Sequence, residues 1–107
     1  MKKVYLFCSA GMSTSMLASS MQDAADAHFL PIEVQAFALN QMEDILTFDQ
    51  PDCILLGPQA KFMYQETLNR FGDRDIPIAV IDDVAYGMMN GEKVLKTAIK
   101  LIKKLPA

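Results

Sequence analysis

Apolar residues in this chain fall into short continuous runs separated by stripes of helical spacing. Val4-Tyr5-Leu6-Phe7, Cys53-Ile54-Leu55-Leu56 and Ile78-Ala79-Val80-Ile81 lack polar alternation, which predicts strands buried on both faces. The first strand is expected over Lys3 to Phe7, and another, after the break at Pro31, over Ile32 to Ala38. Leu17, Met21, Ala24, Ala25 and His28 share one stripe and predict a helix from Ser13 to about His28. Asn40 with Glu43 has the spacing of a capping box and opens a short helix that runs to about Phe48. Gly57-Pro58-Gln59 turns into a helix over roughly Lys61 to Phe71, and Gly72 and Pro77 bracket the next connection. A loop over Asp82 to Asn90 leads into a last helix, Gly91 to Leu105. Its apolar stripe is Val94, Leu95, Ala98, Ile99, Ile102 and Leu105, with Lys96, Lys100, Lys103 and Lys104 outside it.

Strand and helix thus alternate four times, and 1–107 reads as a single α/β domain without repeats or linkers. Right-handed crossovers and double winding give a four-stranded parallel sheet in the order 2-1-3-4, with helices on both faces in three layers. Ligands of such sheets sit beyond the C-terminal strand ends, at the switch point, which here falls between the first and third strands. Cys8 and the segment Gly57-Pro58-Gln59 are then neighbours, and the loop Asp82 to Gly87 reaches the same edge.

Composition narrows the function classes. With 107 residues and 51% apolar content the chain can bury a core without disulfides or metals. The formal net charge is −3, and the basic residues gather only on the last helix, which argues against nucleic-acid binding. No run approaches the ~20 apolar residues of a spanning helix, and the run at Val4 is too short for a signal peptide. A cytoplasmic location is expected, with both cysteines, Cys8 and Cys53, reduced.

The chemistry is concentrated in Cys8-Ser9-Ala10-Gly11-Met12-Ser13-Thr14-Ser15, a cysteine at a strand end followed by small residues and a helix start. Such a loop turns backbone N–H groups inward, and the helix start adds partial positive charge. The nest binds a phosphoryl group and lowers the pKa of a thiol placed in it. Cys8 is therefore the candidate nucleophile, and Ser9, Ala10, Gly11, Met12, Ser13 and Thr14 the candidate phosphoryl-binding loop, with Gly11 permitting a tight turn.

Low-molecular-weight cysteine phosphatases and arsenate reductases use a similar strand, loop and helix, with an Arg six residues after the cysteine. Thr14 occupies that place here, and the loop has no Arg. Without a guanidinium to stabilise the transferring group, sulfur can carry a phosphoryl group yet hydrolyse it poorly. A phosphatase or arsenate reductase stays open as the alternative. A receiver-like module would need an Asp where Gly57 ends the third strand, and a flavin module more aromatics at this edge than Tyr86. Asp82 and Asp83 stand where a phosphatase keeps its general acid, though Asp is equally a turn former. Cys53 reads as core. His28 reads as structural, at a helix end away from the site. One His and two distant Cys make no metal cluster, so neither metal nor cofactor is expected. Met12, Met16 and Tyr86 would make an adaptable apolar rim around Cys8, unless Met16 is simply packed.

The segment at 4–15, then Leu55-Leu56-Gly57-Pro58-Gln59, Tyr86-Gly87 and the Val94-Leu95-Lys96 helix resemble the IIB component of the lactose/cellobiose (diacetylchitobiose) class of the bacterial sugar phosphotransferase system. The resemblance spans essentially the whole chain and is weakest over 39–50. It implies that Cys8 accepts a phosphoryl group from a phosphohistidine of a IIA protein. Cys8 then passes the group to a sugar, a β-linked disaccharide such as cellobiose, diacetylchitobiose or lactose, held by a membrane-embedded IIC protein. Backbone amides of Ser9 to Thr14 would hold the phosphoryl oxygens, and Met12, Pro58, Gln59 and Tyr86 would form a partner-docking rim. The chain itself is expected to be a cytoplasmic monomer that needs no cofactor and does not enter the membrane.

Overall fold

The computed structural model describes residues 2–8, 11–74 and 76–104, with side chains described for all of these except 11–13, 73 and 104. Four strands, β1 (Lys2–Cys8), β2 (Ile32–Ala38), β3 (Cys53–Leu56) and β4 (Ile78–Val80), form one parallel sheet in the order β2-β1-β3-β4. Among the described residues the α-helices are α1 (Gly11–Ala27), α2 (Met42–Phe48), α3 (Tyr64–Phe71), α4 (Asp83–Gly87) and α5 (Gly91–Lys104).

The unbroken apolar runs are explained by two cores, one on each face of the sheet. Val4 and Leu6 of β1, with Cys53 and Leu55 of β3, pack against Leu17, Met21 and Ala25 of α1 and Val94, Leu95 and Ala98 of α5. The intervening Tyr5, Phe7, Ile54 and Leu56 face Met42 and Leu46 of α2 and Phe71 of α3. Alternation along each strand sends successive side chains into opposite cores. α1 and α5 lie very close where α5 begins: a Cβ on Gly91 would stand 2.5 Å from the backbone carbon of Ser20. The edge strand β2 is held from outside the sheet by Gln22 of α1. Its amide donates to the Ile32 carbonyl at 2.9 Å and accepts the Val34 N–H at 2.8 Å.

Several boundaries differ from the sequence expectation, each for a local reason. β1 runs one residue further at each end, so Cys8 is itself the last strand residue, in register with Ala38. α1 starts at Gly11 rather than Ser13 and ends at Ala27, where Phe29 takes a left-handed φ of 56°. The Asn40–Glu43 box does not cap α2. Leu39–Gln41 forms a 3₁₀ turn in which the Gln41 side chain accepts the Ala38 N–H at 3.0 Å. The helix expected from Lys61 is split into a 3₁₀ segment, Pro58–Met63, followed by α3. The expected loop over Asp82 to Asn90 contains α4, because the Asp82 carboxylate accepts the Ala85 N–H at 3.0 Å and caps the helix.

Candidate functional site at the C-terminal edge of the sheet

The site is assembled where β1 and β3 end side by side. Alternation puts Cys8 on the same face as Val4 and Leu6, towards α1 and α5. The Gly57 N–H donates to the Phe7 carbonyl at 2.9 Å and fastens the chain after β3 to the end of β1. Gly57 comes so near that a Cβ there would lie 2.9 Å from Cys8 Sγ and 3.3 Å from Gln59 Oε1. The Cys8 thiol donates to Gln59 Oε1 at 3.5 Å, and the Tyr86 hydroxyl lies 4.0 Å from the sulfur. Cys8 is fully buried, while Gln59 is exposed.

Behind the sulfur stands a pair of hydroxyl side chains. Thr14 Oγ1 and Tyr86 Oη are 3.2 Å apart, and both residues are buried. Thr14 belongs to the first turn of α1, whose leading N–H groups lack intrahelical partners and carry the positive end of the helix dipole. Tyr86 is held by α4, where its own N–H donates to the Asp82 carbonyl at 2.9 Å.

Of the expected loop, Ser9 and Ala10 lie outside the described residues, and 11–14 form the opening of α1 rather than a loop. The side chains of Met12 and Ser13 are likewise outside the described set. Pro58 and Gln59 are at the edge as expected, but Tyr86 is not a rim residue: it is 7% exposed and forms part of the wall behind the sulfur. Met16 is 60% exposed, which excludes the packed reading. Phe62, Val84 and Met88, also exposed, stand on the segments that carry Gln59 and Tyr86.

The other candidates fall outside the site. Asp82 is a helix cap and Asp83 is exposed in the first turn of α4. Cys53 lies in the core at the opposite end of β3, its thiol pushed up to about 12 by burial and by the neighbouring Asp52. His28 is not on the buried stripe. It is exposed and faces Glu92 of α5 at 3.5 Å, because α1 ends one residue before it. Among the described residues, no group of His, Cys, Asp or Glu side chains is arranged to hold a metal, and no helix is long and apolar enough to cross a membrane. Two features were missed from sequence: the close approach of Gly57 to the sulfur and the Thr14–Tyr86 pair. The signal for α4 was present in Asp82, three residues ahead of the N–H it caps.

Residues 3–97 match the family described as the lactose/cellobiose-specific IIB subunit of the phosphotransferase system (PTS). The chain belongs to this family. It is 39% identical over 104 residues to a PTS galactose-specific EIIB component of Lactococcus lactis subsp. cremoris, covering 94% of this chain and 96% of the relative. It is 35% identical over 102 residues to an oligo-beta-mannoside-specific EIIB component of Bacillus subtilis, with 95% and 97% covered. Among solved structures, the cellobiose-specific IIB protein of Borrelia burgdorferi superimposes with a TM-score of 0.78 at 32% identity, over 99% of this chain and 95% of that one. The lactose-specific IIB domain of Streptococcus pneumoniae gives a TM-score of 0.82 at 21% identity, over 92% and 95%, and shares the fold. This IIB protein is accordingly a phosphotransferase component that relays phosphoryl groups to sugar, in a family that works with IIA and IIC partners.

Proposed function

We propose that Cys8 is the residue that carries the phosphoryl group in this IIB protein. The observation behind the reading is the placement of its sulfur. It ends β1 at the switch point, ahead of a helix start, with Gly57 trimmed to let β3 approach and no cationic side chain at the Arg position of cysteine phosphatases. Cys8 takes the group from a phosphohistidine of a IIA protein, the backbone amides over Ser9 to Thr14 hold its oxygens, and a sugar held by a membrane IIC protein receives it. Gln59 is exposed and can swing off the sulfur without disturbing either core. Met12, Pro58 and Gln59 belong to the docking rim, supported by the exposed Met16, Phe62, Val84 and Met88. The chain acts as a single monomeric domain in the cytoplasm and needs no cofactor of its own. Its sugar is a β-linked disaccharide of the cellobiose, diacetylchitobiose or lactose kind. Relatives named for galactose, cellobiose and oligo-beta-mannosides support the class without choosing within it.

The test is mass spectrometry after incubation with phosphoenolpyruvate and the upstream proteins. An added phosphoryl group is expected on a peptide containing Cys8. Labelling elsewhere would overturn the assignment to Cys8, and steady hydrolysis of para-nitrophenyl phosphate would favour the phosphatase reading.

A further inference from the structure

We infer that the Tyr86 hydroxyl is the hydrogen-bond donor that steadies the Cys8 sulfur during phosphoryl transfer, and that Thr14 is the positioning residue that holds this hydroxyl in place. The inference rests on the relay reading above. Three distances carry it: 4.0 Å from Tyr86 Oη to Cys8 Sγ, 3.2 Å from Tyr86 Oη to Thr14 Oγ1, and 2.9 Å from the Tyr86 N–H to the Asp82 carbonyl. Both hydroxyl-bearing residues are buried, so water does not compete for their bonds. A chain Thr14 O–H to Tyr86 Oη, Tyr86 O–H to Sγ satisfies both side chains in one direction. A separation of 4.0 Å is long for a neutral thiol, and a thiolate draws the hydroxyl closer.

Cys8 accepts as the thiolate, its proton having left to solvent: a sulfur electron pair forms the S–P bond while the P–N bond of the phosphohistidine breaks, its pair remaining on the imidazole nitrogen. When Cys8 donates, the sugar oxygen forms the new P–O bond and its proton leaves to a base of the protein that holds the sugar. The S–P bond breaks and its pair returns to sulfur. Negative charge on sulfur is therefore greatest in the unphosphorylated protein, and an O–H aimed at Sγ stabilises it without giving up its proton. A phosphatase Arg at position 14 would grip the phosphoryl oxygens and aid transfer to any acceptor, water included. Here position 14 serves the sulfur through Tyr86 instead, which eases departure from Cys8 while leaving the phosphoryl oxygens without that clamp.

Among the described residues, the ionisable groups on the elements around this sulfur are Asp82 and Asp83 on α4 and Lys61 on the Pro58–Met63 segment, all exposed, with Glu92 and Lys93 at the start of α5; Asp23 and Asp26 of α1 and Glu33 of β2 lie towards the opposite end of the sheet. The experiment is the rate of iodoacetamide modification of Cys8 against pH, mapped by mass spectrometry, in wild type, Tyr86→Phe, Thr14→Val and Thr14→Ser, with discharge of phosphorylated protein to acceptor measured alongside. Tyr86→Phe should raise the midpoint by about one pH unit and slow discharge about tenfold. Thr14→Val should shift both in the same direction by less, and Thr14→Ser should restore them. A folded Tyr86→Phe protein with the wild-type midpoint overturns the inference. Should that variant not fold, an unchanged midpoint in Thr14→Val does so. Wild type that never gains a phosphoryl group on Cys8 overturns the relay reading separately, and the thiol titration still judges Tyr86.

Discussion

The two cysteines share a sheet face and a degree of burial, yet their surroundings differ in kind. Cys8 and Cys53 are both 0% exposed, and register places both towards α1 and α5, Cys53 opposite Val4 at one end of the sheet and Cys8 at the other. Cys53 is surrounded by Val4, Leu55 and their apolar neighbours, where nothing offsets the loss of water and its thiol is pushed up to about 12. Cys8 ends its strand against an amide oxygen, a tyrosine hydroxyl and the start of a seventeen-residue helix. The proposed role of Cys8 therefore cannot rest on burial, which the two thiols share. What distinguishes Cys8 is the Tyr86 hydroxyl and the helix start, donors that favour charge on sulfur, whereas the Gln59 amide oxygen, which accepts from the thiol, favours the neutral form.

The largest expected effect lies in breaking the Cys8 end. Cys8→Ser should lower phosphoryl acceptance by at least about 10³-fold with the fold intact, because a serine hydroxyl stays protonated near neutral pH. Mass spectrometry and circular dichroism together check it. Gly57→Ala should come next. Its new Cβ would stand 2.9 Å from Cys8 Sγ, so the sulfur or the chain after β3 must shift. A misplacement approaching an ångström lowers transfer about 10²-fold, read as the single-turnover rate of phosphorylation by the IIA partner.

The Cys53 end should respond in stability rather than in transfer. Cys53→Ser buries a hydroxyl among apolar side chains and should cost about 1–3 kcal/mol in denaturant unfolding while phosphorylation of Cys8 persists. A folded Cys53→Ser protein that no longer transfers would show the roles to be misassigned. The raised thiol pKa also fixes a sign. Its contribution is fully present below the ordinary value of 9.0 and is lost as pH rises towards about 12, since only the unfolded chain ionises in that window. Wild type should accordingly lose stability between pH about 9 and about 12 more steeply than Cys53→Ala, as measured by denaturant midpoints. Tyr5, raised to about 12 by burial and by its bond to Asp49, adds a loss of the same sign in both proteins.

The smallest effect is expected at His28. Its contact with Glu92 is exposed, so His28→Gln should change stability by no more than about 0.5 kcal/mol and leave transfer unaltered. Loss of transfer in that variant would mean that a histidine of this chain, and not only a cysteine, takes part in the relay.

The sequence by itself determined the alternation of strands and helices, the parallel order β2-β1-β3-β4, the meeting of Cys8 with Gly57-Pro58-Gln59, and the core role of Cys53. These follow from unbroken apolar runs, which demand cover on both faces, and from crossover rules that leave few arrangements open. Tertiary structure alone decided how the pieces rotate and how near they come. Tyr86 looked like a rim residue because its neighbours read as a loop. The Asp82 cap makes a helix of them and turns the ring inward, onto a sulfur 78 residues away in sequence. His28 continued the apolar stripe of the first helix and read as structural, but the left-handed turn at Phe29 ends α1 first, leaving it exposed, and α5 supplies Glu92. Periodicity records which residues share a face. The partner that face meets is set by the packing of distant segments, and the reach of Tyr86 to Cys8 and the space Gly57 leaves for the sulfur are products of that packing.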